Sequence, residues 1–178
     1  CPEYLAVAQQ VAAIAVKRAP PPETFFLERD EVERLLRRLP AHGRHALRDR
    51  ALFLLLYNTG ARVQEIADLR IEHLDLGPQP RVRLHGKGDK WRVCPLWAQT
   101  VDAITRLLRE TFSTPQPTRA LFTSHGTRAL TRFGLYKIVR RHTDPLRVQR
   151  GAPIGRHVGP HVFRHTAAVH LLEAGVDV

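Results

Sequence analysis

Three clusters of charged and imidazole side chains in this sequence suit the handling of a phosphate group. The first lies in Tyr57-Asn58-Thr59-Gly60-Ala61-Arg62-Val63-Gln64-Glu65-Ile66-Ala67-Asp68-Leu69. A glycine turn followed by a new helix puts Arg62 at a helix N-terminus. Backbone N–H groups and a guanidinium converge there, which makes a ready anion site. Glu65, three residues on, shares that helix face and is able to orient Arg62 or a neighbouring histidine. The spacing alone favours an ordinary surface Arg–Glu pair.

The second cluster is His85-Gly86-Lys87-Gly88-Asp89-Lys90-Trp91-Arg92-Val93-Cys94-Pro95-Leu96. Lys87, Lys90 and Arg92 would present cations from a hairpin tip to a backbone phosphate. Lysine suits a general acid better than arginine, because its pKa is more easily moved into a useful range. The glycine spacing differs from that of a nucleotide-binding P-loop, and no Lys-Ser/Thr pair follows. A solvated hairpin with an incidental basic tip is the other reading.

The third cluster is Gly159-Pro160-His161-Val162-Phe163-Arg164-His165-Thr166. His161 and Arg164 are three apart, so they share a face in the first turn of a helix. His165 follows His161 at i+4. A metal site built on these two histidines lacks a third ligand and the HExxH glutamate, so no metal is expected.

The elements that must position these residues follow from periodicity and punctuation. Residues 28–39 read as an amphipathic helix, with acidic residues in its first turn and Arg37 and Arg38 in its last. Residues 46–58 read as a second helix, apolar nearly all round from Ala51 to Tyr57 and therefore central and buried. Gly60 caps it in the left-handed conformation. A short helix over 62–69 follows at once. Residues 81–84 and 91–93 alternate and form a hairpin around the two glycines, with 71–76 as a third strand. Helices follow over 96–111, 132–142 and 160–174, with Thr114-Pro115-Gln116-Pro117 as a loop between the first two. Val162, Phe163, Ala167 and Leu171 read as core. The expected fold is mainly α with a small antiparallel β-sheet, an α+β arrangement.

Composition bounds the partners. The 178 residues suffice for one domain with a proper core. There are 28 Lys plus Arg against 17 Asp plus Glu, a formal net charge of +11, which points to a polyanion and first to nucleic acid. The two cysteines, Cys1 and Cys94, form no CxxC pair and fit a reducing compartment. No apolar run reaches the length of a membrane span. The sequence opens without a methionine. Residues 4–17 have near-helical apolar spacing, and Pro20-Pro21-Pro22 breaks it. The expected division is therefore 1–19 as the end of a preceding domain, 20–26 as a proline-rich linker and 27–178 as the main domain.

Taken together and in this order, the three clusters resemble those of the tyrosine recombinases, the phage-integrase and Xer-like family. The resemblance spans residues 27–178, and the helical start resembles the end of that family's DNA-clamping N-terminal domain. It implies roles residue by residue. Arg62 resembles the first catalytic arginine, with Glu65 its supporting acid. Lys87 resembles the catalytic lysine, and His161 and Arg164 match the histidine and second arginine of the HxxR motif, with His165 beside them. The family cuts and rejoins DNA at specific sites through a 3′-phosphotyrosyl bond, without metal or cofactor. The implied partner is double-stranded DNA, bound by a tetramer on paired sites. The implied setting is the bacterial cytoplasm and its nucleoid, on a mobile element or chromosome.

This sequence departs from the pattern at its end. The family motif runs on through a further helix to a Leu-Gly-His-like turn and the nucleophilic tyrosine, whereas here the sequence stops at Val178. The nucleophile is therefore expected to be absent, and the fragment to bind DNA without cleaving it. Tyr4, Tyr57 and Tyr136 stand in the wrong places to replace it. Beyond the catalytic set, Lys90, Arg92, Arg132, Lys137, Arg140 and Arg141 are candidates for phosphate contacts along a duplex. Three alternatives stay open from sequence: a non-catalytic DNA-binding module, a type IB topoisomerase-like relative, and a basic RNA-binding protein.

Overall fold

The computed structural model describes residues 25–42, 45–114, 116–124, 128–144 and 158–176. The expected helix over 4–17 and the Pro20–Pro22 spacer lie outside the described residues, as does Pro115 of the expected loop.

The other expected helices form, with ends shifted by a few residues at most. In chain order they are α1 (Arg29–Arg38), α2 (Ala46–Thr59), α3 (Val63–Ala67), α4 (Ala98–Thr111), α5 (Arg132–Thr143) and α6 (Pro160–Glu173). The sheet has three antiparallel strands in the order β1 (Leu74–Asp75), β2 (Arg81–Gly86), β3 (Lys90–Pro95). The strand expected over 71–76 is cut short, because Ile71–His73 winds into a 3₁₀ turn and leaves two residues to pair with β2.

The core is built on α2. Ala51, Leu52, Phe53, Leu54, Leu55 and Leu56 are all buried, so this helix shows apolar side chains to every side. It packs against α1, α4 and α6, while α3 packs against α5 and β2. Phe53 meets Phe163 of α6 edge-on at 5.3 Å between ring centroids. Phe163 and Ala167 are buried as expected, whereas Leu171 is only half-buried.

Polar ties complete the frame. Asp49, buried near the start of α2, accepts from Arg48 at 2.6 Å and pairs with Nε2 of His142, on α5, at 2.9 Å. Tyr57 is hydrogen-bonded through its hydroxyl to Nδ1 of His170, on α6, at 2.8 Å. The chain leading into α1 is held on this body too: Phe25 packs against the core, and the Leu27 N–H donates to the Thr166 hydroxyl at 2.9 Å.

Candidate functional site

The turn between α2 and α3 is where the site begins. Gly60 closes α2 at φ 57°, and its N–H donates to the Leu56 carbonyl at 3.0 Å. A side chain there would be strained, and its Cβ would sit 3.4 Å from the Cβ of Ala167. The turn lies against α6, and the demand for glycine comes from its positive φ. Arg164, on α6, uses that approach and donates Nη1 to the Gly60 carbonyl at 2.7 Å.

Glu65 gathers the rest. Its carboxylate is buried at 3% exposure, while the Arg62 side chain it holds is 50% exposed. Oε2 accepts from the Arg62 N–H at 2.9 Å, which caps the start of α3. Oε1 accepts from Nη1 of Arg62 at 3.3 Å. Oε2 also accepts from Nη2 of Arg92, reaching across from β3, at 2.6 Å. Burial, and then the nearness of Arg62 and Arg92, lower the pKa of Arg164 from the ordinary arginine value, against the opposite pull of Glu65. Arg62, Arg92 and Arg164 therefore lie within one another's field, with one carboxylate among three guanidiniums. A net positive cluster of this kind suits an anion with several oxygens.

The hairpin of β2 and β3 comes to the same place. A Cβ at Gly86 would lie 3.2 Å from Oε1 of Glu65, so glycine lets the strand close on the carboxylate. Lys87 follows at the exposed tip. Gly88 and Asp89 turn the chain at φ 75° and 58°. Nε2 of His85 pairs with Oδ1 of Asp89 at 2.6 Å across this turn, and the His85 ring stacks on Trp91 at 4.7 Å. The base of the Lys87 tip is therefore braced.

The remaining candidates fall into four groups. His161 and His165 are exposed on α6, His161 in the same first turn as Arg164. Arg92, expected at a phosphate, is turned inward on Glu65, Cys94 and the Thr59 carbonyl. The other expected phosphate contacts, Lys90 of the hairpin and Arg132, Lys137 and Arg141 of α5, are exposed. Arg140 on α5 is engaged locally, donating to Asp144 at 3.0 Å and to the Tyr136 hydroxyl at 3.1 Å. Among the described residues no cluster of three or more His, Cys, Asp or Glu is placed to hold a metal ion. Nor is any helix among them long and apolar enough to cross a membrane.

The sequence reading missed the inward turn of Arg92 and the buried role of His170. The first had a signal in strand alternation. Val82 and Leu84 are buried, and their cross-strand partners are Cys94 and Arg92, so these face inward while Trp91 and Val93 face out. Nothing in helical spacing singled out His170, whose partner Tyr57 is 113 residues away.

Comparison with known proteins gives consistent results. The model of the phage integrase family matches residues 25–178. The tyrosine recombinase XerD of Staphylococcus epidermidis is 36% identical over 160 residues, covering 85% of this chain and 50% of its own. XerC of Pelobacter propionicus is 32% identical over 154 residues, covering 86% and 48%. The crystal structure of XerA recombinase superposes with a TM-score of 0.72 at 29% identity, covering 89% of this chain and 54% of that one. XerH bound to its difH substrate superposes with a TM-score of 0.68 at 27% identity, covering 84% and 43%. The chain spans about half the length of the curated relatives it matches.

Proposed function

Because this chain belongs to the phage integrase family, we propose that it forms the phosphate-binding part of a DNA-cutting and rejoining centre. The observation that carries this reading is the convergence of Arg62 and Arg164 on the Gly60 turn, with Glu65 buried beneath them. Two guanidiniums on one side of a phosphate are able to clamp its nonbridging oxygens. Charge gathers there as phosphorus becomes five-coordinate, and fixed donors stabilise it most when they need not reorganise.

The remaining residues divide the proton transfers. A tyrosine hydroxyl attacks phosphorus and gives its proton to His161. The 5′-oxygen leaves and takes a proton from Lys87, and the strand is held as a 3′-phosphotyrosyl ester. Reversal of the same steps rejoins it. His165 and Glu65 support the histidine and the first arginine. None of Tyr4, Tyr57 and Tyr136 follows the helix of His161 and Arg164. In this proposal the nucleophile therefore comes from a part of the protein beyond Val178. Residues 27–178 are the catalytic domain, with 1–19 closing a DNA-clamping domain and 20–26 joining the two. The whole protein works as a tetramer on paired duplex sites in the bacterial cytoplasm.

The test uses this chain continued through its tyrosine and a duplex with a nick placed so that the cleaved end diffuses away. A covalent protein–DNA adduct through a tyrosine 3′-phosphate is expected without added metal or ATP. A folded, DNA-bound protein that forms no adduct contradicts the reading.

A further inference from the structure

Arg92 is the expected phosphate contact whose guanidinium is bonded to the carboxylate that also holds Arg62. Its Nη2 lies 2.6 Å from Oε2 of Glu65, the shortest contact in the cluster. Its Nη1 lies 2.9 Å from the Cys94 sulfur and 3.4 Å from the Thr59 carbonyl. One planar group thus ties the end of α2, the start of α3 and strand β3. A lysine ammonium is a compact point charge and lacks this fixed fork.

The consequence falls on Arg62. Glu65 has two oxygens, and a carboxylate readily takes an arginine in bidentate fashion. Here Oε2 is already occupied by Arg92 and by the Arg62 N–H, so the Arg62 guanidinium is held only through Nη1 to Oε1, at 3.3 Å. The Arg62 side chain is half-exposed. Without Arg92, a nearly buried carboxylate would be left to draw Arg62 down onto both oxygens. Arg92 also ties strand β3, one arm of the Lys87 hairpin, to the carboxylate that orients Arg62.

We propose that Arg92 is a positioning residue: it occupies Oε2 of Glu65, keeping the outer edge of Arg62 available to a phosphate and the Lys87 hairpin in register with it. This rests on the DNA-cleaving reading above. It assigns Arg92 to the rate of the chemical step and removes it from the set of groups that contact DNA.

The experiment uses the chain continued through its tyrosine, and adduct formation by the unsubstituted protein is its first arm. If that fails, the functional reading fails before Arg92 is reached. In the second arm, Arg92→Gln is compared at saturating DNA and across a salt series. The adduct rate is expected to fall about 10- to 100-fold, the scale of a misplacement near an ångström. The affinity and its salt slope should stay nearly unchanged. In a Glu65→Gln background, the further loss on Arg92→Gln should shrink to less than about 3-fold, because the two act as one unit. Arg92→Lys, which keeps the charge without the fork, should fall between. It carries the same comparison if Arg92→Gln melts too early to assay. A salt slope reduced by about 1 with an unchanged rate at saturation would mark a direct phosphate contact and overturn the proposal. Losses from Arg92 and Glu65 that simply multiply would overturn it too.

Discussion

Lys87 illustrates how far a single residue can be read. Its place between two glycines was visible in the sequence, and its residue type suggested a proton donor. The bracing under it was not. His85 and Asp89 close the turn at 2.6 Å, and Trp91 stacks on His85 from the neighbouring strand. If Lys87 protonates the leaving 5′-oxygen, Lys87→Ala should slow adduct formation about 10²- to 10⁴-fold, the usual worth of a general acid. A substrate with sulfur in place of that bridging oxygen leaves as a thiolate and needs no proton, so it should restore most of the rate. A Lys87→Ala defect equal for both substrates would assign the lysine to binding instead. Arg92 shows the limit of residue-level reading. As one cation in a basic run it looked like a phosphate contact, and only its strand partner Leu84, buried opposite, signals that it faces inward.

At the scale of elements, the sequence was most legible where the hydrophobic period is strong. Helix α2 is apolar all round and is central, and Gly60 caps it as its position suggested. The short third strand was less legible, because a 3₁₀ turn competes with extension over three residues. Polar ties between elements were not legible at all, since their partners are distant in sequence. Asp49 and His142 are 93 residues apart, yet they pin the start of α2 to the end of α5. Burial would push the Asp49 carboxyl up, but hydrogen bonds from His142 and Arg48 outweigh it and hold the group below its usual value. A carboxylate with a depressed folded pKa stabilises the fold fully above its unfolded pKa, near 3.9, and that stability is lost as pH falls through the folded value. Asp49→Asn should therefore melt below the parent protein at pH 7, and the gap should narrow as the pH is taken below about 4. A gap independent of pH would mean that the pair contributes through packing alone. Asp49→Ala should cost about 3–5 kcal/mol, the scale of breaking a buried pair, measured by denaturant unfolding.

The whole molecule is strongly basic, with a net charge of +11, and this charge governs encounter more than chemistry. Binding to duplex DNA should weaken steeply with salt, because each neutralised phosphate releases counterions. Lys137 and Arg141 are exposed on α5, so replacing either with alanine should reduce the salt slope by about 1 and lower affinity for all sequences alike. Arg140, already bonded to Asp144 and Tyr136, should change the slope less. Equal effects at all three positions would show that the Asp144 pair opens on binding. Composition alone points to a polyanion. It could not divide the cations into those left exposed and those that, like Arg92, are bonded within the molecule, because that division depends on which way each strand and helix faces.

In the proposed reaction Arg62 and Arg164 clamp one phosphate in the transition state of strand cleavage, and this pairing is open to measurement. It is tested most directly by the rate of adduct formation at saturating DNA, in the chain continued through its tyrosine, for Arg62→Ala and Arg164→Ala. Each substitution should slow the chemical step about 10²- to 10³-fold, the loss typical of one oxyanion donor, while the protein still binds the duplex. Rates at saturation equal to that of the unsubstituted protein, with only affinity reduced, would show that the two arginines bind DNA without stabilising the transition state.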